Sequence, residues 1–207
     1  MAFPVFLTYF RDADTMSTLS ILQGHHTTGV CALSFSASGK LLASLDVNEE
    51  AKYGCHFVCM QAKPDHTWPR LTVYRWKEGR KVAAEAASHH RLFQVAFRPD
   101  SEFEVSLNIT SYLLVLRECL QFVTVGVKHI KFWTLAGGTL LCKRGQLPKE
   151  RKLTTMLAVA FGPDQTTFSA AMNGEIWVWK QNQVHLGGVS LLRACAQVTV
   201  VAASQNL

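Results

Sequence analysis

Leu157-Ala158-Val159-Ala160-Phe161, Gly162-Pro163-Asp164, Thr167-Phe168-Ser169-Ala170 and Glu175-Ile176-Trp177-Val178-Trp179 follow one another with almost nothing between them. Apolar residues alternate with small or polar ones, as in antiparallel strands buried on one face more than the other. Pro-Asp supplies a tight turn. The stretch reads as strand, turn, strand, turn, strand, with tryptophan late in the third strand.

The same grammar occurs twice more upstream. Val30-Cys-Ala-Leu-Ser-Phe35 is followed by the turn Ser36-Ala-Ser-Gly39-Lys40, by Leu41-Leu-Ala-Ser44 and, much later, by Leu71-Thr-Val-Tyr-Arg-Trp76. Leu92-Phe-Gln-Val-Ala-Phe97 is followed by Arg98-Pro99-Asp100-Ser101, Gln121-Phe-Val-Thr-Val125 and His129-Ile-Lys-Phe-Trp133. A turn such as Lys77-Glu78-Gly79-Arg80-Lys81 leads to a fourth strand, Val82 to Glu85. Four short antiparallel strands per repeat with a late tryptophan are the mark of a propeller blade. The expected fold is all-β: a partial β-propeller of about three WD-type blades, with two insertions.

Spacing locates the insertions. Phe161 and Trp179 are 18 residues apart, but Phe35 and Trp76 are 41 apart and Phe97 and Trp133 are 36 apart. The excess maps to about 48–70 and 102–120, each expected near the turn between second and third strands. Lengthening an exposed turn is cheap in loop entropy. The first insertion, rich in Lys, Glu, His, Pro and Gly, reads as an exposed excursion. The second is apolar and must pair, form a helix or cover an open face. The expected organisation is a divergent segment over 1–16, blades over about 17–76, 77–134 and 135–180 within a domain spanning 17–180, and a divergent tail over 181–207.

Several runs resemble the echinoderm microtubule-associated protein-like family. They are Ser20-Ile-Leu-Gln-Gly-His25-His-Thr-Thr-Gly-Val30, Phe35-Ser-Ala-Ser-Gly-Lys-Leu-Leu-Ala-Ser44, Val73-Tyr-Arg-Trp76-Lys-Glu-Gly79 and Phe97-Arg-Pro-Asp-Ser101. The resemblance continues in Thr155-Met-Leu-Ala-Val-Ala-Phe161-Gly and Asn173-Gly-Glu-Ile-Trp-Val-Trp-Lys180. Val125-Gly-Val-Lys-His-Ile-Lys-Phe-Trp-Thr-Leu-Ala-Gly137 is its most specific element. The insertions and the tail are unlike the family, which reads as a fragment, or a splice or gene-model variant. The resemblance implies tandem WD-repeat propellers, a cytoplasmic, cytoskeletal location, and tubulin or microtubules as partner. The alternatives are an adaptor for another protein partner, or a truncated isoform with an incomplete propeller and no independent function.

Composition agrees with a binding module. The net charge of +6 favours an anionic partner. Charged residues make up only 17%, below the usual quarter, which suggests a large core or faces meant to be covered. Cysteines such as Cys31, between Val30 and Ala32, read as reduced thiols packed as small hydrophobes. The longest apolar stretch, Val105 to Leu116, is too short and too interrupted for a membrane helix. Nucleic acid and membranes are not expected partners.

The candidate residues are structural. Gly24-His25 ahead of a first strand, with Ser44 and Trp76, is similar to the buried hydrogen-bond set of WD repeats, in which hydroxyl, imidazole and indole satisfy one another. Asp46 is positioned to orient His25. Trp133 and Trp179 occupy the late third-strand position of their own units. Cys55, His56, Cys59 and His66 are the one metal-like group, and their spacing is poor for zinc. No nucleophile elbow, phosphate loop or carboxylate pair stands out. No enzyme, cofactor or metal is expected.

Overall fold

A computed structural model describes residues 7–23, 29–46, 70–100, 104–108, 113–117 and 119–190. Its strands are β1 (Leu7–Arg11), β2 (Thr18–Gln23), β3 (Val30–Phe35), β4 (Leu41–Asp46), β5 (Arg70–Arg75), β6 (Arg80–Ala86), β7 (Leu92–Phe97) and β8 (Glu104–Asn108). They continue as β9 (Leu113–Arg117), β10 (Cys119–Gly126), β11 (His129–Ala136), β12 (Thr139–Arg144), β13 (Met156–Phe161), β14 (Thr166–Ala171), β15 (Glu175–Lys180) and β16 (Gln183–Ser190).

Three antiparallel four-stranded sheets form, in the orders β3-β4-β5-β6, β7-β10-β11-β12 and β13-β14-β15-β16. Each is a meander of neighbouring strands, and each packs face to face on the next, as propeller blades do. The first strands stand side by side: β7 touches β3 on one flank and β13 on the other. Side chains stitch these inner strands together. The Phe97 amide donates to Ser34 Oγ at 3.1 Å, and the Val159 amide to Gln94 Oε1 at 2.8 Å.

Two apolar layers fill the gaps between blades. Leu41, Ala43, Leu45, Leu71 and Val73 of the first blade meet Leu92, Val95, Phe97, Phe122 and Trp133 of the second. Val123, Val125 and Ile130 on the other face of the second meet Met156, Val159, Trp177 and Trp179 of the third. β4 is covered on both faces, by the second blade over Leu41, Ala43 and Leu45 and by Phe10 and Leu22 over Leu42, and it is buried at every position. Between β11 and β12 the turn is Gly137-Gly138, both at positive φ (58° and 86°), a two-residue hairpin that side chains would strain.

The sheets divide the chain later than the sequence repeat does, because each fourth strand pairs back onto its own blade. Arg80–Ala86 closes the first blade, and Thr139–Arg144 the second. Gln183–Ser190 of the expected tail is the fourth strand of the third blade. Within the expected divergent N-terminal segment, Leu7–Arg11 is a strand paired with β2.

The second insertion lies elsewhere than expected. β10 pairs with β7 on one side and β11 on the other, with Phe122 opposite both Phe97 and Trp133. The extra residues therefore sit between first and second strands, where β8 and β9 pair only with each other among the described residues. The first insertion does lie between a second and a third strand, and residues 48–69 fall outside the described residues.

Candidate functional site

In each blade the hydrogen-bonding register brings a second-strand hydroxyl beside a third-strand aromatic. Phe122 faces Trp133, and two residues on, on the same face, Thr124 Oγ1 accepts the Trp133 Nε1 proton at 2.9 Å. Thr167 faces Trp179, and two residues on Ser169 Oγ accepts from Trp179 Nε1 at 2.8 Å while donating to Met156 Sδ. In the first blade Leu42 faces Tyr74, and Ser44 is again two residues on. Tyr74 is fully buried. Burial pushes its phenol up to about 12, against hydrogen bonding from neighbouring hydroxyls that include Ser44.

Trp76 therefore does not share the row of Trp133 and Trp179; Tyr74 does. Trp76 comes two residues later on the same face, where the chain leaves the sheet in a 3-10 turn, Trp76–Glu78. Its Nε1 donates to the Gly39 carbonyl at 2.7 Å, and its ring lies 5.2 Å from Phe10 and 5.6 Å from Phe35. A signal for Tyr74 is present in the sequence. Leu71, Ile130 and Ile176 stand three residues before Tyr74, Trp133 and Trp179.

His25 lies outside the described residues. Asp46 is buried, with Oδ2 accepting from the Arg70 amide at 3.4 Å. In the second blade a histidine that sequence reasoning missed joins the row: His129 Nε2 is 2.8 Å from Thr124 Oγ1. Burial, then the charges of Lys131, His90 and Arg144, lower its pKa to about 3. Neutral imidazole, hydroxyl and indole thus form a closed, uncharged chain that rigidifies the blade. Cys55, His56, Cys59 and His66 fall outside the described residues.

These rows lie within the blades; the connection from the second blade to the third lies on the surface. From β12 to β13 run Lys143, Arg144, Lys149, Arg151 and Lys152, all exposed, with Glu150 the one acid among them. This connection is pinned. The Gln146 amide donates to the Asn182 carbonyl at 2.7 Å, the Val184 amide to the Gln146 carbonyl at 3.2 Å, and Asn182 Nδ2 to the Arg144 carbonyl at 3.1 Å. Gly145 packs so closely on Ile130 and Trp179 that an added Cβ would lie 2.7 Å and 2.8 Å from them. The Arg151 guanidinium sits 5.5 Å from the centre of the Trp177 ring. A cationic strip is thereby held on ordered backbone across the second and third blades.

Comparison with known proteins places this geometry. The model for "WD domain, G-beta repeat" matches residues 16–46, which contain β2, β3 and β4. The 77 kDa echinoderm microtubule-associated protein of Strongylocentrotus purpuratus is 24% identical over 173 residues, 83% of this chain and 20% of that protein. Echinoderm microtubule-associated protein-like 2 of Mus musculus is 27% identical over 202 residues, 92% of this chain and 26% of that protein. This is a WD-repeat protein related to the echinoderm microtubule-associated proteins. The chain spans about a fifth to a quarter of the length of these relatives. Among solved structures, the β-propeller domain of Myceliophteria thermophila Cps50 (Swd1) superposes with a TM-score of 0.58 at 11% identity, over 86% of this chain and 47% of that one. The computationally designed Ika8 protein follows with a TM-score of 0.51 at 16% identity, over 85% of this chain and 42% of that one. Those likenesses establish the fold.

Proposed function

We propose that this chain is a non-catalytic protein-interaction scaffold that binds the acidic surface of tubulin or microtubules, in the cytoplasm on the cytoskeleton. The observation that carries the reading is the pinned strip Lys143, Arg144, Lys149, Arg151 and Lys152, in a chain of net charge +6 whose relatives are named as microtubule-associated. Ordered backbone lowers the entropy lost when these long side chains engage carboxylates. Exposed charge pairs act over about 8 Å at physiological salt, so such binding is weak and salt-sensitive.

The test is co-sedimentation with microtubules assembled from purified tubulin, at low and at physiological ionic strength. The unaltered chain is expected to pellet at low salt and to be released as salt rises. The triple variant Lys143→Glu, Arg144→Glu, Lys149→Glu leaves the Arg151–Trp177 contact intact and is expected to weaken binding about tenfold or more. Binding that ignores both salt and these reversals would remove the strip from the interface. No binding even at low salt would leave an adaptor for a different protein as the reading.

A further inference from the structure

The sequence contains one Asn-Gly pair, Asn173-Gly174, and the fold sets it in the turn between β14 and β15. The turn is closed by the Gly174 amide, which donates to the Ala171 carbonyl at 3.0 Å. Gly174 stands at φ 82°, a region glycine enters freely, and it carries no Cβ to shield its own nitrogen. Asn173 is exposed, and its Oδ1 accepts from the Glu175 amide at 3.3 Å. That bond draws electron density towards Oδ1 and leaves Cγ electron-poor, one residue from the Gly174 nitrogen. Asn182 shows the opposite arrangement. Its Nδ2 donates to the Arg144 carbonyl at 3.1 Å, and the residue after it is Gln183.

This turn is tied to the cationic connection twice. The Met172 amide donates to the Thr155 carbonyl at 2.9 Å. Glu175 Oε2 accepts from Trp177 Nε1 at 3.1 Å, and the Arg151 guanidinium lies over the Trp177 ring. Residues 151–155 are therefore anchored on the turn side at both ends. Exposed charge is screened over about 8 Å, so a charge at Asn173 acts on its immediate neighbours, and those belong to the strip.

We infer that Asn173-Gly174 is a self-modification site, at which deamidation adds a carboxylate beside the cationic connection. The Gly174 hydrogen bond to Ala171 opens first. It is a single bond in a turn whose Met172 is 54% exposed, a contact that opens locally while the sheet stays folded. The Gly174 nitrogen then attacks Asn173 Cγ and gives its proton to solvent. A new C–N bond closes a five-membered succinimide, the bond from Cγ to Nδ2 breaks, and the amide nitrogen leaves as ammonia. One water opens the ring at either carbonyl, giving aspartate or isoaspartate. Water is the one co-reactant, and nothing is oxidised or reduced. Either product removes one positive unit of net charge at the strip. Isoaspartate also lengthens the main chain of the turn by one carbon. The consequence for tubulin rests on the function proposed above; the reaction does not.

The experiment ages the full chain in mildly alkaline buffer, folded and in parallel in urea. Tryptic cleavage after Lys152, Lys180 and Arg193 puts Asn173 and Asn182 on separate peptides, whose masses report loss of each amide. Enzymatic methylation counts isoaspartate. In the folded chain Asn173 is expected to convert to aspartate and isoaspartate, faster as pH rises, while Asn182 keeps its amide. Asn173→Gln is expected to stop the conversion. An Asn173 amide that survives in the folded chain while it is lost in urea overturns the inference, because the turn then protects it. The charge effect is read from the salt that releases the chain from immobilised polyglutamate, an acidic surface independent of tubulin. Asn173→Asp is expected to weaken retention about two- to fivefold. Gln23→Glu makes the same charge change at an exposed position on β2 and is expected to weaken it less. Equal weakening by the two overturns the local action on the strip. A chain held by polyglutamate but not by microtubules removes the tubulin reading alone and leaves the mass and retention results to decide the inference.

Discussion

Lowering the pH from about 7 to about 5 is expected to destabilise the second blade through one residue, His129. Its imidazole is 5% exposed and closes the row Trp133 Nε1–Thr124 Oγ1–His129. Folding lowers its pKa from an ordinary value of about 6.5 to about 3. Below pH 6.5 the unfolded chain takes up a proton that the folded chain refuses, so stability falls as pH falls. The stabilisation is fully present above about 6.5 and is lost progressively down to about 3. The slope in that window is about 1.4 kcal/mol per pH unit, so reaching pH 5 removes about 2 kcal/mol. Against a total of about 5–15 kcal/mol that is a visible fraction. Urea unfolding followed by tryptophan fluorescence, at constant ionic strength and at several pH values, reads the effect directly. His129→Gln removes the titration while keeping a polar partner for Thr124. It is expected to lower stability at pH 7 and to flatten the dependence between pH 7 and 5. Equal stability of the unaltered chain at both pH values, or an undiminished slope in His129→Gln, refutes the linkage.

Other substitutions test the rows and the close approaches. Trp179→Phe removes the indole proton that Ser169 Oγ accepts and leaves a smaller ring at a fully buried site; a loss of about 2–4 kcal/mol is expected in the same urea assay. Tyr74→Phe deletes only a buried hydroxyl and is expected to cost about 1 kcal/mol, with Ser44→Ala adding little on top because the two groups act together. Gly126→Ala would set a Cβ 2.2 Å from the Arg91 carbonyl oxygen, a backbone atom that cannot swing away; a marked fall in the urea midpoint is expected, with Gly39→Ala, where nothing lies within 4 Å but φ is positive, costing less.

How far the sequence foretells this molecule depends on whether a signal is local. Period-2 alternation and turn residues are local, and they mark β3, β4, β7, β13, β14 and β15 correctly as strands. Register is not local. Val73-Tyr-Arg-Trp76 offers two aromatics on one face, and only pairing with Leu42 shows that Tyr74 holds the row while Trp76 lies beyond it. Tryptophan, the stronger marker by type, was the weaker by position. The second insertion failed for a related reason. Counting from Phe97 to Trp133 reveals extra residues, but not between which strands they fall. Thr124, two residues after the position opposite Trp133, decides that Gln121–Val125 belongs to the second strand. His129 was hidden because it reaches the hydroxyl from the start of the third strand, whereas His25 precedes a first strand.

The exposed residues and the low charge of the chain have one explanation between them. A repeat protein places its apolar rows on faces that neighbours cover, so charge is sparse wherever a neighbour is expected. Leu33 and Phe35 are exposed on the first blade, and Leu7, Tyr9, Leu19 and Ile21 on the side of the β1–β2 pair that faces away from it. Single exposed apolar residues need no explanation, whereas apolar side chains beside an unpaired strand edge leave backbone groups and apolar area open to association. The row that seals Tyr74 completely leaves Phe35 half bare on the same face. Phe35 is half exposed and still packs edge-on against Phe10 and Trp76, with ring centroids 6.1 Å and 5.6 Å away.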